Sequence, residues 1–409
     1  MNSYEDILRK ANEAKRKLPL VSEDIRIKAM IKMSEALKAN ADKILEANKI
    51  DLDNATNILP VMKKRLSLTK EKLESIANDV VSVANLASVC DKVLEEINRP
   101  NGLLIKKISQ PFGVILTIFE SRPNVCVDIA SLCIKTSNVC ILRGGKEALN
   151  TNKALVSVMR NAIKDFIPED SINLIEETSH DVVDKLLSAK GLIDLAIPRG
   201  SARLINHVVD IAKVPVIETG AGVCHVFVDE SADLNMAYDI IYNSKTSNPS
   251  VCNATETLLI HRSIKDKVLQ LLKEKNFDTM VLVHGDKEIS GVLSAKEVDS
   301  FDIEFNDLEM NFKIVDSIDE AIAHISKYST KHSEVIVTEN KENAERFLKE
   351  IDSACVYHNA STRFTDGGCF GFGAEVGIST QKLHARGPMG LKELMTYKYI
   401  IYGNGQIRK

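Results

Sequence analysis

Apolar positions along the chain change their spacing near residue 113. Before it, Met30, Met33 and Leu37 fall three and four apart, on one helical face, behind a cap candidate at Ser22. The first hundred residues are therefore predicted helical, with Asn- and Asp-rich breaks near Asn48 to Asn54. The segment from Asn98 to Lys107 reads as a hairpin around Pro100-Asn101-Gly102. From residue 113 short apolar runs alternate with helical stretches. The runs are Val114 to Phe119, Val139 to Leu142, Ile172 to Ile175, Leu192 to Ile197, Val214 to Ile217 and Val226 to Val228. A second series begins beyond Cys252: Thr257 to Ile260, Met280 to Val283, Lys313 to Val315, Val335 to Thr338 and Ala354 to Tyr357. Strands alternating with helices predict an α/β protein with two doubly wound parallel-sheet domains. A last strand is expected at Tyr399 to Tyr402.

A chain of 409 residues is too long for one core, which agrees with two domains. It is 44% hydrophobic and 27% charged, with a formal net charge of -4. Nothing there points to nucleic acid. No stretch approaches the roughly twenty apolar residues of a membrane span. The opening Met1-Asn2-Ser3-Tyr4-Glu5-Asp6 lacks the basic-then-apolar pattern of a leader, so a cytoplasmic location is expected. The eight cysteines form no CxxC pair and several lie inside apolar runs, which suggests reduced thiols. Cys126, Cys133 and Cys140 are spaced like buried positions. The nine histidines show no HxH or HxxxH pair, so no metal site is expected. His225, alternating with apolar residues, is read as a satisfied strand histidine, and His332 as a turn residue facing solvent.

Candidate chemistry gathers at loop ends. Cys252 lies in a polar stretch, Thr246 to Thr257, ahead of an apolar strand. A nucleophilic thiol must be ionised and reachable, and a polar loop end provides both. A small hydrophobe at a strand start is the other local reading. Arg143-Gly144-Gly145-Lys146 follows one strand, and Arg199-Gly200-Ser201 follows another. Glycines at such turns let a ligand approach the backbone, and amides at a helix start can hold a pyrophosphate. Neither turn is a GxGxxG, so each is also readable as only a turn. Glu218 closes an apolar run before Gly220-Ala221-Gly222, as an acid, a base or a loop cap.

These segments together resemble the aldehyde dehydrogenase superfamily and, within it, the γ-glutamyl phosphate reductases. The resemblance rests on Glu120-Ser121-Arg122-Pro123-Asn124-Val125, Ile141 to Gly145, Pro215 to Gly222 and Pro249 to Ala254. It continues through Asn359 to Gly367, Gly371 to Glu375 and Leu383 to Pro388, over nearly the whole length. It implies a nicotinamide cofactor-binding domain at 1–97, 113–222 and 376–394. A catalytic domain would span 223–375, and a β oligomerisation element 98–112 and 395–409. The implied reaction is NADPH-dependent reduction of L-glutamyl 5-phosphate to the 5-semialdehyde in proline biosynthesis, with release of phosphate. Cys252 would be the nucleophile, Asn124 a second oxyanion donor beside the Cys252 amide, and Glu218 a loop-ordering or thiol-tuning carboxylate. Arg143, Gly144, Gly145, Lys146, Gly200, Ser201 and Glu304 would bind NADP(H), Glu304 at the nicotinamide ribose. Arg122 and Arg363 are candidate clamps for phosphate and carboxylate. A homo-oligomer is implied, and a glutamate 5-kinase is a candidate partner. Asn248 stands where relatives carry Arg, and Val223 where many carry Asn, so the phosphate is expected to be held differently. The alternatives are an aldehyde dehydrogenase that hydrolyses its thioester, and a non-catalytic scaffold.

Overall fold

The structure, a computed structural model, describes residues 3–56 and 60–408. Met1 and Asn2, part of the opening read as lacking a leader pattern, and residues 57–59 and 409, part of the expected domains, lie outside the described residues. The chain divides into two compact units. One comprises Met1–Glu218, Phe372–Gly377 and Met389–Lys409; the other comprises Thr219–Gly371 and Ile378–Pro388.

The first unit opens with the helices Tyr4–Lys17, Glu23–Ala39, Ala41–Asn54, Pro60–Leu66 and Lys70–Ala84. Met30, Met33 and Leu37 are fully buried, as their spacing predicts. Ser22 occupies the N-cap position, but its hydroxyl makes no capping hydrogen bond. The helical expectation for the first hundred residues fails at β1 (Val93–Asn98), which pairs antiparallel with β2 (Leu104–Pro111). β1 is almost wholly exposed, so no buried face imposes a period on its sequence.

A four-stranded parallel sheet follows: β3 (Val114–Phe119), β4 (Val139–Gly144), β5 (Ile172–Leu174) and β6 (Leu195–Arg199), in the order β5-β4-β3-β6. β3 and β4 are buried along their whole length, which explains their unbroken apolar runs. Phe119 lies level with both Gly144 and Arg199. The turns after β3, β4 and β6 therefore leave the sheet at one edge, where ligands bind in open α/β sheets. The expected strand Val214 to Ile217 reduces to one bridge, between Ala196 and Val216. Pro215 has no N–H to give a ladder there.

The second unit holds a seven-stranded parallel sheet. Its strands are β7 (Cys224–Val228), β8 (Thr255–His261), β9 (Leu282–His284), β10 (Ala295–Lys296), β11 (Glu309–Val315), β12 (Ser333–Val337) and β13 (Cys355–His358), in the order β10-β9-β11-β8-β7-β12-β13. Val226, Val228, Leu258 and Ile260 join a core with Phe277 and Phe312 on one face. Phe227 and Leu259 join Ile336 and Phe347 on the other. Apolar spacing alone puts β7 at the end of the first series, whereas the resemblance puts it within 223–375; it lies in the second unit, between β8 and β12. Apolar spacing identifies a buried strand, not its partner. The strand expected at Met280 to Val283 starts only at Leu282, because Phe277–Met280 forms a helical turn behind left-handed Asn276 (φ 55°).

Two short strands, β14 (Gly377–Ser379) and β15 (Gly387–Met389), pair with each other. β16 (Met395–Tyr402) runs antiparallel to β2 and completes a three-stranded sheet with β1. Among the described residues no helix is long and apolar enough to cross a membrane.

Candidate functional site

In the first unit, two carboxylates organise the edge formed by the turns after β3, β4 and β6. Glu147, just past Gly144 and Gly145, accepts from the Ser121 amide at 2.9 Å and the Ser121 hydroxyl at 2.7 Å. That pairing holds Ser121 at φ 37°, an uncommon value for a non-glycine residue. Glu120 accepts from the Ser201 amide at 2.7 Å and the Ser201 hydroxyl at 3.1 Å. Ser201 is the N-cap of the helix Ala202–Ile211. An anionic group thus already sits on the amide proposed to receive a pyrophosphate, where the helix dipole favours negative charge. A Cβ on Gly200 would lie 2.5 Å from that carboxylate, and one on Gly144 would lie 2.1 Å from the Asn152 amide nitrogen.

The two cations of the β4 turn differ. Arg143 is buried, and its Nη2 donates to the carbonyls of Thr178 at 2.6 Å and Ser179 at 3.3 Å. Burial pulls its pKa down, but an arginine stays charged. Lys146 is exposed at the turn surface. Arg122 is half-buried. Asn124 opens the helix Asn124–Lys135 and donates to Asp128 at 2.9 Å. Burial pushes the Asp128 carboxyl up to about 6, against the pull of Asn124 and Arg199. Glu218, half-buried, is the last residue of this unit's first segment.

In the second unit, Cys252 lies half-buried between the helix Leu234–Thr246 and β8. A Cβ on Gly222 would stand 1.4 Å from the Cys252 carbonyl oxygen, so the two backbones touch. The Gly222 amide donates to Glu304 at 2.9 Å. Glu304, Gly222 and Cys252 are thereby one cluster, although Glu304 is distant in sequence. Asn253 anchors the other side. It donates to the Thr365 carbonyl at 2.9 Å, accepts from Arg363 Nη1, and receives Thr362 Oγ1 on its own carbonyl at 2.6 Å. Arg363 Nε donates to Ser247 at 3.0 Å. Arg363 is therefore held against the cysteine loop.

Of the residues singled out by sequence, the structure gathers Arg143 to Lys146, Gly200 and Ser201 at one sheet edge. It gathers Cys252, Glu304 and Arg363 in the other unit. Sequence reasoning assigned no role to Glu120 or Glu147, and read Asn253 as a local donor to the thiolate; in the structure all three tie these turns together. Glu120 and Asn253 stood inside quoted motifs, but nothing in a linear sequence tells a strut from a solvated polar residue. His332 corrects an expectation: it is fully buried, not solvent-facing. Burial draws its pKa down to about 4, and its Nδ1 lies 2.9 Å from Ser333 Oγ. His225 is a strand residue as expected, with Nδ1 3.2 Å from Glu334. Neither of its ring nitrogens makes an aligned hydrogen bond, so it is not fully satisfied. Val223 is buried, with its amide on Thr330 Oγ1 at 3.0 Å, and Asn248 is exposed.

Residues 2–301 match the aldehyde dehydrogenase family. The chain is 50% identical over 407 residues to the gamma-glutamyl phosphate reductase of Caldanaerobacter subterraneus subsp. tengcongensis, covering 98% of each. It is 48% identical to that of Clostridium tetani, covering 98% of this chain and 97% of the relative. The crystal structure of gamma-glutamyl phosphate reductase from Thermotoga maritima superposes with a TM-score of 0.96 at 42% identity, over all of both chains. The fold, the motifs and these relatives agree: the chain belongs to the aldehyde dehydrogenase family and, within it, to the gamma-glutamyl phosphate reductases.

Proposed function

We propose that this chain reduces L-glutamyl 5-phosphate to L-glutamate 5-semialdehyde with NADPH, releasing phosphate, in proline biosynthesis. The observation that carries this reading is the built cysteine loop, in which Gly222, Asn253 and Arg363 fix the half-exposed Cys252. The Cys252 thiolate attacks the acyl carbon, the bond from carbon to the phosphoryl oxygen breaks, and phosphate leaves with that electron pair. A thioester on Cys252 remains, and its carbonyl oxygen is stabilised by the Cys252 amide as charge develops. The cofactor, when bound, supplies the hydride that reduces the thioester carbon. Cleavage of the carbon–sulfur bond then returns the thiolate and frees the aldehyde. Asn124 keeps one amide hydrogen beyond its bond to Asp128 for a second oxyanion contact. Arg363 and Arg122 are assigned to the anionic ends of the substrate.

The cofactor edge fits a dinucleotide. The glycine turns leave no room for side chains, and a pyrophosphate at the Ser201 amide would take the place of the Glu120 carboxylate that now accepts there. Glu304 is assigned to the nicotinamide ribose. The preference for NADP(H) is assigned to Arg143 and Lys146; Arg143 Nη2 also donates to main-chain carbonyls, so the cleaner variant is at the exposed Lys146. Lys146→Ala is expected to cost about tenfold in selectivity for NADP+ over NAD+, the size of one charge-assisted hydrogen bond. Steady-state kinetics with both cofactors check this; an unchanged ratio removes Lys146 from the site. Glu218→Gln is expected to keep activity within about tenfold of the parent in the phosphate-dependent reverse reaction. A base that activates water contributes roughly 100-fold or more, and here the thioester is kept from water. A loss as deep as that of a Cys252 variant would make Glu218 an essential base.

The same reading places the enzyme in the cytoplasm, as a homo-oligomer supplied by a glutamate 5-kinase. The β16 face supports the oligomer, since Tyr399 and Ile401 are 52% and 58% exposed. The deciding experiment is reduction of NADP+ by the purified protein with L-glutamate 5-semialdehyde. Dependence on added phosphate is expected; an equal rate without phosphate, yielding glutamate, would identify a hydrolytic dehydrogenase.

A further inference from the structure

Lys245 and Glu256 form an ion pair with no solvent access, Nζ to Oε2 2.6 Å. Lys245 ends the helix Leu234–Thr246, and Glu256 lies near the start of β8. The reaction described above uses neither. A buried pair is often replaceable by packed apolar residues at no loss of stability, so stability alone is a weak reason for it. Glu256 Oε1 is sealed from solvent without an aligned hydrogen-bond donor, which adds to the cost of burying the pair.

What the pair faces is the segment bearing Glu304. Residues 297–308 form no helix or strand; the Leu308 carbonyl accepts from the Leu282 amide at one end, and side-chain contacts hold the stretch around Glu304. Lys245 Nζ stands over the Phe305 ring, 5.9 Å from its centroid. His284 stacks on the same ring at 5.3 Å and is itself held by Glu309 at 2.6 Å. Burial pushes the Glu256 carboxyl up to about 8; Lys245 and the Phe305 main-chain amide oppose this, and the Glu304 charge adds to it. Lys245 thus keeps two carboxylates compatible, and Glu304 remains free to accept from Gly222 beside Cys252.

We propose that Lys245 and Glu256 are positioning residues, which hold Phe305 and so aim Glu304 at the cofactor. The proposal rests on the ribose-side reading of Glu304. Removing one partner would strand a buried charge, so the informative variant removes both: Lys245→Met with Glu256→Gln. Three measurements apply: hydrogen exchange of 297–308 in protein without cofactor, KM for NADP+ against kcat in the phosphate-dependent reaction, and the rate of Cys252 alkylation by iodoacetamide. The double variant is expected to exchange faster in 297–308 and to raise KM about tenfold, as small misplacements of positioning groups do, while alkylation is unchanged. Parental exchange and parental KM would overturn the proposal. Phe305→Leu removes the same anchor without entering the buried pair, so it decides the matter if the double variant fails to fold. It is expected to show the same faster exchange and raised KM, and parental values would overturn the proposal. Glu304→Gln separates the two layers. If it leaves KM unchanged, the ribose-side reading falls and the positioning role with it. If it raises KM while the double variant behaves as the parent, only the role of the pair falls.

Discussion

Cys252→Ala is expected to lose at least about 10⁴-fold in phosphate-dependent reduction of NADP+, as removal of a covalent nucleophile does. The fold and the affinity for NADPH should survive, because the half-buried thiol is no part of the apolar core on either face of the seven-stranded sheet. Paired measurements check this: turnover with saturating semialdehyde and phosphate, and NADPH binding by fluorescence titration. A variant that binds NADPH and keeps more than a trace of turnover would remove the thioester from the pathway. No other thiol of the second unit is an evident substitute. Cys224 is fully buried, and burial with neighbouring Glu334 pushes its pKa well up, so it stays a thiol. Cys355 is buried and shifted in the same direction. Cys369 is exposed in the glycine-rich loop, its amide on Asp366, with none of the struts that fix the Cys252 loop.

Gly222→Ala is the second large effect. The added methyl would overlap the Cys252 carbonyl oxygen at 1.4 Å and its carbon at 2.4 Å. The obstacle is backbone rather than a flexible side chain, so the cysteine loop itself must move. A shift of about 1 Å at a reacting group costs on the order of 100-fold in rate, and a comparable drop in kcat is expected. The same displacement should weaken the Gly222 to Glu304 bond and raise KM for NADP+. Activity and melting temperature, measured together, check the expectation. Parental kcat with an unaltered melting temperature would show that the loop has slack the structure does not display.

Much of this architecture was legible before any coordinates. Continuous apolar runs such as Val114 to Phe119 signal strands buried on both faces, and β3 is buried at every position. Cys252 stood out because its neighbours are polar while most other cysteines sit among apolar residues. The errors have physical causes. β1 is exposed, so its sequence carries no face to read. The run at Val214 to Ile217 has strand composition, but Pro215 withholds the N–H a ladder needs. His332 follows a lysine in a polar turn, yet enters the core immediately before β12. Of Arg143, charge and position are visible in a sequence; that its Nη2 donates to the Thr178 and Ser179 carbonyls is not.

The sequence by itself determined the class of fold, the turns that end the parallel strands, and the polar setting of Cys252. These follow from local chemistry: side-chain period, glycine at a tight turn, and a cysteine among polar neighbours. Tertiary structure decided which strands are neighbours, placing β7 between β8 and β12. It also decided which polar residues act together. Glu120 and Ser201 lie 81 positions apart, Gly222 and Glu304 82, and Asn253 and Arg363 110. A hydrogen bond requires two groups within about 3 Å, and the sequence records neither separation nor orientation in space. Only the closed sheets bring such pairs within reach.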